Sequence, residues 1–269
     1  MSIQSKKRKK ITIHDIKNRK SKDPIVMITA YDALFAKLFD ERADIILVGD
    51  SLNMSFNAQK DTLSINLDQM IYHTKAVCNG AKSSLVVLDM PFGSYTTKKQ
   101  ALKNATKVYK ECEADAIKIE GGCERAHIIK TLTSNSIAVM GHIGLMPQFV
   151  RSDGGYKVRG KDETDIKKLI QDAKAIEEAG AFCIVVEGVK AEATKAITNS
   201  VSIPTIGIGA GRDVDGQVLV WSDMFGFFEE FKPKFVKQYL NGSKLIKDAL
   251  DQYIHEVKSK KFPNDEYIY

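Results

Sequence analysis

Short apolar runs alternate with stretches of helical periodicity along almost the whole chain, and this alternation constrains the fold more than any other feature. The runs are Ile25–Ala30, Asp44–Gly49, Leu85–Leu88, a segment within Asp115–Gly122, Ile137–Gly141, Phe182–Val186, Ile203–Ile208 and a weaker Val218–Trp221. Between them lie helical patterns over Asp32–Ala43, Leu67–Val77, Lys98–Cys112, Glu124–Thr133, Asp165–Ala179 and Ala191–Asn199, with a last one over Pro233–Val257. Gly180 stops the strongest of these helices, as a C-terminal glycine commonly does. Strand and helix in strict alternation predict a parallel sheet covered by its crossover helices. In a chain of 269 residues the pattern fits an α/β protein, a single (β/α)8 TIM barrel. A doubly wound open sheet is the alternative. No linker, repeat or low-complexity tract divides the chain, so residues 11–269 are expected to form one barrel domain. Residues 1–10 are expected to be a flexible basic arm, and Ile11–Ile16 carries a short amphipathic pattern suited to covering something.

The run Asp115-Ala-Ile-Lys-Ile-Glu-Gly-Gly122 differs from the others. Ile117 and Ile119 alternate with Lys118 and Glu120, which gives one apolar and one charged face. Strands of a parallel sheet are buried on both sides. A Lys and a Glu sharing a face there must be paired, metal-bound or catalytic, because uncompensated buried charge is costly. A half-exposed antiparallel strand with a solvated Lys–Glu pair would explain the same pattern.

The net charge of +6 raises the question of nucleic acid, yet much of it is local. Lys6, Lys7, Arg8, Lys9 and Lys10 cluster at the start and Lys258, Lys260 and Lys261 near the end, with no aromatic residues interleaved in the first run. A solvated arm accounts for that better than a nucleic-acid surface. The cysteines Cys78, Cys112, Cys123 and Cys183 are scattered, the pattern of a reducing compartment. No apolar stretch is long enough for a membrane span, and no apolar core follows the basic start as in a secretory signal. A cytoplasmic protein without membrane or nucleic-acid partners is the expectation.

In a barrel, reactive side chains come from the C-terminal ends of strands and the loops beyond. Those ends carry Asp50-Ser51, Asp89, Lys118 with Glu120, His142, Glu187 and the loop Gly207-Ile208-Gly209-Ala210-Gly211. One Asp after a strand is more often a cap or turn residue, and a lone His142 suits a hydrogen-bonded core equally well. Four acids at matching ends of different strands would converge on one rim, where their repulsion demands a cation. Oxygen ligands without His or Cys suit Mg²⁺. Such an ion can hold a 2-oxo acid, Lys118 supplies positive charge for the same anion, and Glu187 after apolar Ile184-Val185-Val186 suits a general base. Together these groups can remove a proton α to a carbonyl and hold the enolate. The glycine loop lacks the dinucleotide spacing; a phosphate cradle and a tight turn both remain open for it.

Several segments in order resemble ketopantoate hydroxymethyltransferases. They are Val48-Gly-Asp-Ser-Leu52, Leu88-Asp-Met-Pro-Phe92, Ile117-Lys-Ile-Glu-Gly-Gly122, Gly141-His-Ile-Gly-Leu145, Gly154-Gly-Tyr-Lys-Val158, and Gly207–Gly211 with Asp215-Gly-Gln217. The resemblance runs from about Ile11 to the C-terminus. It implies a (β/α)8 enzyme of pantothenate synthesis, assembled as a homodecamer, that moves a one-carbon unit from 5,10-methylenetetrahydrofolate to 3-methyl-2-oxobutanoate with Mg²⁺. By motif, Asp50, Asp89 and Glu120 resemble the metal ligands, directly or through water. Asp50, Ser51, Asp89 and Lys118 resemble the substrate contacts, and Glu187 the proton acceptor. His142 is left between an auxiliary role on the folate side and a structural one. The remaining candidate is a Mg²⁺-dependent C–C lyase or phosphomutase of the phosphoenolpyruvate mutase and isocitrate lyase kind, for which only Cys123 offers a loop thiol near a recognised motif. The chain departs from the family pattern at Asn53, where Gly is usual, at Gly188-Val189-Lys190, where Cys-Val-Pro is common, and at Tyr267, where His is frequent.

Overall fold

The apolar runs are strands because helices and barrel interior cover both of their faces, leaving the backbone no partner but the neighbouring strand. The computed structural model describes residues 8–229 and 232–269. The strands are β1 (Ile25–Thr29), β2 (Ile45–Val48), β3 (Leu85–Asp89), β4 (Ala116–Glu120), β5 (Val139–Gly144), β6 (Cys183–Glu187), β7 (Thr205–Ile208) and β8 (Gly216–Leu219). They pair in chain order, all parallel, and β8 pairs with β1 through Gly216 to Leu219, closing the barrel. The doubly wound alternative is excluded by that closure.

Helices α1 (Ile13–Lys17), α2 (Ala33–Phe39), α3 (Leu52–Ser55), α4 (Leu67–Gly80), α5 (Lys98–Cys112), α6 (Cys123–Thr133), α7 (Glu163–Glu178) and α8 (Ala191–Ser200) intervene. Most start where a side chain satisfies the first free amides. Asp32, Asn66, Thr97 and Asp162 all accept from the first turn, and Asn66 and Gln69 form a capping box. The chain forms two compact units, one through Val220 and one from Trp221 to Tyr269, where the sequence suggested one domain over 11–269. All eight strands lie in the first. The second holds α9 (Trp221–Met224) and α10 (Gly242–Lys258). The last helix starts later than Pro233 because Asn241 caps it, accepting from Lys244 N.

Strand register decides which side chains fill the barrel. Ile25, Met27, Ile45, Leu47, Leu85, Val87, Ala116, Met140, Cys183, Val185, Ile206 and Val218 belong to one buried apolar cluster. Successive side chains of a strand point to opposite faces, so Lys118 and Glu120 share the inward face of Ala116. By the same parity Asp89 follows Val87, His142 follows Met140, and Glu187 follows Val185. The antiparallel, half-solvated reading of the Lys118 strand therefore falls: every residue of β4 is buried. β5 is longer than the sequence suggested and contains His142 instead of ending before it.

The amphipathic start plugs the other end of the barrel. Ile11 and Ile16 join the interior cluster, and Ile11 N donates to Ser83 O at 2.8 Å. The expected solvated arm does not describe Arg8 and Lys10. Arg8 pairs with Asp44 and donates to Ala43 O, while Lys10 Nζ lies 2.7 Å from Asp115 and 2.8 Å from Ser84 O. Lys6 and Lys7 lie outside the described residues.

Asp40, just past α2, ties that helix to the start of β3. Its carboxylate accepts from the amides of Lys82 (2.9 Å), Ser83 (2.9 Å) and Ser84 (2.7 Å). Burial pushes this carboxyl up, but the amides of Ser84, Lys82 and Ser83 pull it further down, to about 2. A pKa lowered on folding contributes stability above the unfolded value and loses it as pH falls through the folded one. Asp40→Asn is expected to cost about 1–2 kcal/mol at pH 7. In urea unfolding the gap to wild type should shrink as pH falls from 5 toward the folded-state value; a gap independent of pH would contradict this.

Candidate active site

The inward polar residues gather above the apolar interior at the C-terminal mouth. A pocket of about 90 Å³ there is lined by Asp50, Ser51, Asp89, Lys118, Glu120, His142 and Glu187, with Thr29, Leu47 and Ile208 among the rest. The seven candidate catalytic, substrate-binding and metal-binding residues of the sequence analysis therefore line one pocket. The register explains why: Asp89 lies beside Lys118 across β3 and β4, and Glu120 beside His142 across β4 and β5.

Lys118 is the hub of the charge arrangement. Its ammonium lies 2.6 Å from both oxygens of Asp89 and 3.8 Å from Glu120. All three side chains are at most 5% exposed. Burial would depress the Lys118 pKa, but the charges of Asp89, Glu120 and Asp50 raise it above the ordinary lysine value. The carboxylates divide. Burial, then repulsion from Asp89 and Glu120, holds Asp50 well above the usual range, and burial also raises Asp89 against the pull of Lys118. Burial would raise Glu120 as well, yet His142, Lys118 and the Gln148 amide keep it below its ordinary value.

His142 stands between two acids. Nδ1 is 3.5 Å from Glu120 Oε1 and Nε2 is 3.4 Å from Glu187 Oε2, ion-pair distances without hydrogen-bond alignment. Burial and Lys118 lower its pKa, but Glu120 and Glu187 raise it further, to about 9. The ring links the acid cluster to Glu187, whose side chain stays 21% exposed at the rim. The apolar setting expected for Glu187 is thus only partial. Ser51 is half-buried in the same pocket, its Oγ 2.9 Å from Tyr31 Oη.

Sequence reading missed Gln148, 4% exposed in a single 3₁₀ turn at Pro147–Phe149 after β5. It also missed Tyr156, which sits close enough that burial, followed by Asp61, Glu187, Asp50 and Glu120, raises its hydroxyl pKa. Neither lies at a strand end, so parity gave no signal; Tyr156 was quoted only as part of a glycine-rich motif. The departures from the family pattern are accommodated locally. Asn53 is 1% exposed and donates to Asp61 O (2.8 Å) and Ser64 Oγ (2.9 Å), stapling the loop that follows. Gly188 takes φ 58°, a left-handed conformation that glycine adopts without strain, and its N donates to Ile208 O at 2.9 Å. Cys123 opens α6 and does not line the pocket. Of the glycine loop, only Ile208 lines it.

Whether the mouth suits a divalent cation follows from its charge. Three buried carboxylates face one ammonium and one imidazolium, and Glu120 Oε1 is buried without a hydrogen-bond partner. Among the described residues no three acid, His or Cys groups are close enough to enclose an ion by themselves. The set fits Mg²⁺, which commonly takes one or two carboxylates and completes its shell with water and substrate oxygens.

Fold and mouth together define a class: a (β/α)8 barrel enzyme whose strand ends present an acid cluster around a buried lysine. Two solved structures share the fold. Phosphonopyruvate hydrolase superposes at TM-score 0.62 with 12% identity, covering 96% of this chain and 92% of that one. The 2,3-dimethylmalate lyase of the PEP mutase/isocitrate lyase superfamily gives 0.60 with 14% identity, covering 95% and 90%. At such identities the likeness speaks for the fold alone. The chain belongs to the ketopantoate hydroxymethyltransferase family, whose model matches residues 10–265. It is 63% identical over 269 residues, the full length of both chains, to the 3-methyl-2-oxobutanoate hydroxymethyltransferase of Aliarcobacter butzleri (strain RM4018). It is 58% identical over 265 residues, 98% of each chain, to that of Helicobacter acinonychis (strain Sheeba). It is accordingly a transferase.

In the metal-free protein the His142 imidazole is expected to titrate near pH 9 by NMR, and Glu120→Gln should lower that value by removing one of the charges that raises it. Titration of wild-type His142 at or below the ordinary histidine value would contradict the ion-pair assignment.

Proposed function

We propose that this chain transfers the methylene unit of 5,10-methylenetetrahydrofolate to C3 of 3-methyl-2-oxobutanoate, giving 2-dehydropantoate and tetrahydrofolate in pantothenate synthesis. Water supplies the hydroxyl oxygen that balances the product. The observation that carries this reading is the opposition, in one small pocket, of a rim carboxylate, Glu187, to a buried Asp50–Asp89–Glu120 cluster around Lys118. At about 90 Å³ the pocket is far smaller than the roughly 300 Å³ and more of sites for larger ligands. It suits a short oxo acid, with the folate approaching from the open side.

Asp50, Asp89 and Glu120 would hold Mg²⁺, directly or through water. When bound, the ion polarises the ketone and acidifies the adjacent C–H. A phosphonopyruvate hydrolase in complex with oxalate and Mg²⁺ has the same fold, at TM-score 0.61 and 12% identity, which supports the choice of ion. Lys118 and Ser51 orient the carboxylate and ketone oxygens. Glu187 takes the C3 proton, and the enolate carbon bonds to the methylene carbon as the first of its two C–N bonds to the folate breaks. Water then displaces the second nitrogen to give the hydroxymethyl group, and the two nitrogens keep the bonding electrons and take up one proton from C3 and one from that water. His142, 3.4 Å from Glu187, steadies that carboxylate as it gains and loses the proton. The apolar side chains along α10, among them Leu245, Ile246, Leu250 and Tyr253, are each more than half exposed. Such a stripe is of the kind another protein surface covers; the homodecamer is carried over from the family resemblance. No described helix is long and apolar enough to cross a membrane.

The test is exchange of the C3 hydrogen of 3-methyl-2-oxobutanoate for deuterium, followed by NMR, with Mg²⁺ and without folate. Glu187→Gln should slow exchange about 10²- to 10⁴-fold, the scale of a lost general base. Chelation of the metal by EDTA should abolish it, and added Mg²⁺ should restore it. Exchange unchanged in Glu187→Gln would refute the assignment of the base. Turnover without any folate requirement would instead favour a lyase or mutase reaction.

A further inference from the structure

Gln148 reaches the acid cluster from outside the strand set that builds it, and its backbone N and both polar side-chain atoms are engaged there. Its backbone N donates to Glu120 Oε2 at 3.0 Å. Its side-chain Nε2 donates to Asp50 Oδ2 and to Met90 O, each at 2.9 Å. Tyr95 Oη donates to its Oε1 at 2.5 Å. One residue thus joins the ends of β2, β3 and β4.

The orientation of the amide is fixed by chemistry. The Met90 carbonyl only accepts, so the Gln148 nitrogen must face it and with it Asp50 Oδ2, and the amide oxygen must face the tyrosine. Burial and the charges of Glu120, Asp89 and Asp50 push the Tyr95 hydroxyl well up, so it keeps the proton it donates. Tyr95 is held in turn by packing, at 4% exposure, with the Arg125 guanidinium 5.6 Å from its ring centre. Gln148 occupies one oxygen of Asp50 and one of Glu120. What it leaves is Asp50 Oδ1 and the hydrogen-bond-free Glu120 Oε1.

We infer that Gln148, locked by Tyr95, is a positioning residue that presents one chosen oxygen each of Asp50 and Glu120 to the divalent cation. The inference rests on the chemistry proposed above and assigns a function to two residues outside the site predicted from strand ends. Without the clasp, Asp50 is free to turn, and its second oxygen and Met90 O lose their donor.

The test titrates Mn²⁺, a paramagnetic substitute for Mg²⁺, into wild-type, Gln148→Met and Tyr95→Phe protein without substrate. Bound ion is read by electron paramagnetic resonance, and thermal unfolding of the metal-free proteins is recorded alongside. Gln148→Met keeps the length of the side chain and removes its donors; it should weaken Mn²⁺ binding about 10- to 100-fold, the range for losing a residue that orients a metal ligand. Tyr95→Phe removes one hydroxyl and should weaken binding several-fold in the same direction. A purely structural role would lower the melting temperature and leave Mn²⁺ affinity unchanged, and that result in Gln148→Met would overturn the proposal. Should Gln148→Met not fold, wild-type Mn²⁺ affinity in Tyr95→Phe would overturn it equally. Wild-type protein that binds no Mn²⁺ would sink the cation chemistry itself, a separate failure.

Discussion

Buried charge at the barrel mouth is the constraint on which the rest of the site depends. Lys118, Asp89, Glu120 and Asp50 are each at most 4% exposed, and groups in that state persist only when they neutralise one another or bind a counter-ion. The Lys118–Asp89 contact at 2.6 Å settles one negative charge. His142 bears on Glu120 and Glu187 together. Asp50 is left with a neutral donor in Gln148, and burial, then repulsion from Asp89 and Glu120, favours its protonation. A site whose acids outnumber its cations is a poor stabiliser and a ready receptor for a divalent ion.

That excess is tolerable because the lower barrel is made differently. Below the polar level the inward positions are Ile, Leu, Val, Met, Ala and one Cys, and Ile11 and Ile16 seal the far end. Ion pairs recur at that end as well, Arg8 with Asp44, Lys10 with Asp115 and Lys20 with Asp215. There each carboxylate also caps backbone amides: Asp44 takes Val26 N, Asp115 takes Val86 N, and Asp215 takes Thr205 N. One end of the barrel spends its acids on holding strands in place, and the other leaves them for chemistry, the division expected of this fold.

The loops add what the strands cannot. The turn after β5 sends Gln148 back across the mouth to Asp50, 98 residues away in sequence. Asn53 staples the loop beyond β2, and Gly188 turns the chain beyond Glu187 through a left-handed residue. A departure from a family pattern at either position therefore has a local reason in this chain: a side chain with three partners in one case, a backbone angle in the other.

The sequence by itself determined the alternation of strands and helices, because period-two and helical patterns are local, but the closure of β8 onto β1 that separates a barrel from a doubly wound sheet is tertiary. It also determined which residues share a face: Lys118 and Glu120 lie two apart, so wherever that strand went they would point the same way. The strand ends named Asp50, Asp89, His142 and Glu187 for the same reason. Tertiary structure alone decided that β5 runs through His142, that Arg8 and Lys10 are spent on Asp44 and Asp115, and that Gln148 and Tyr95 close over the acids. Each of those contacts joins positions dozens of residues apart, and no periodicity within a segment encodes the distance between side chains that meet only when the sheet has closed.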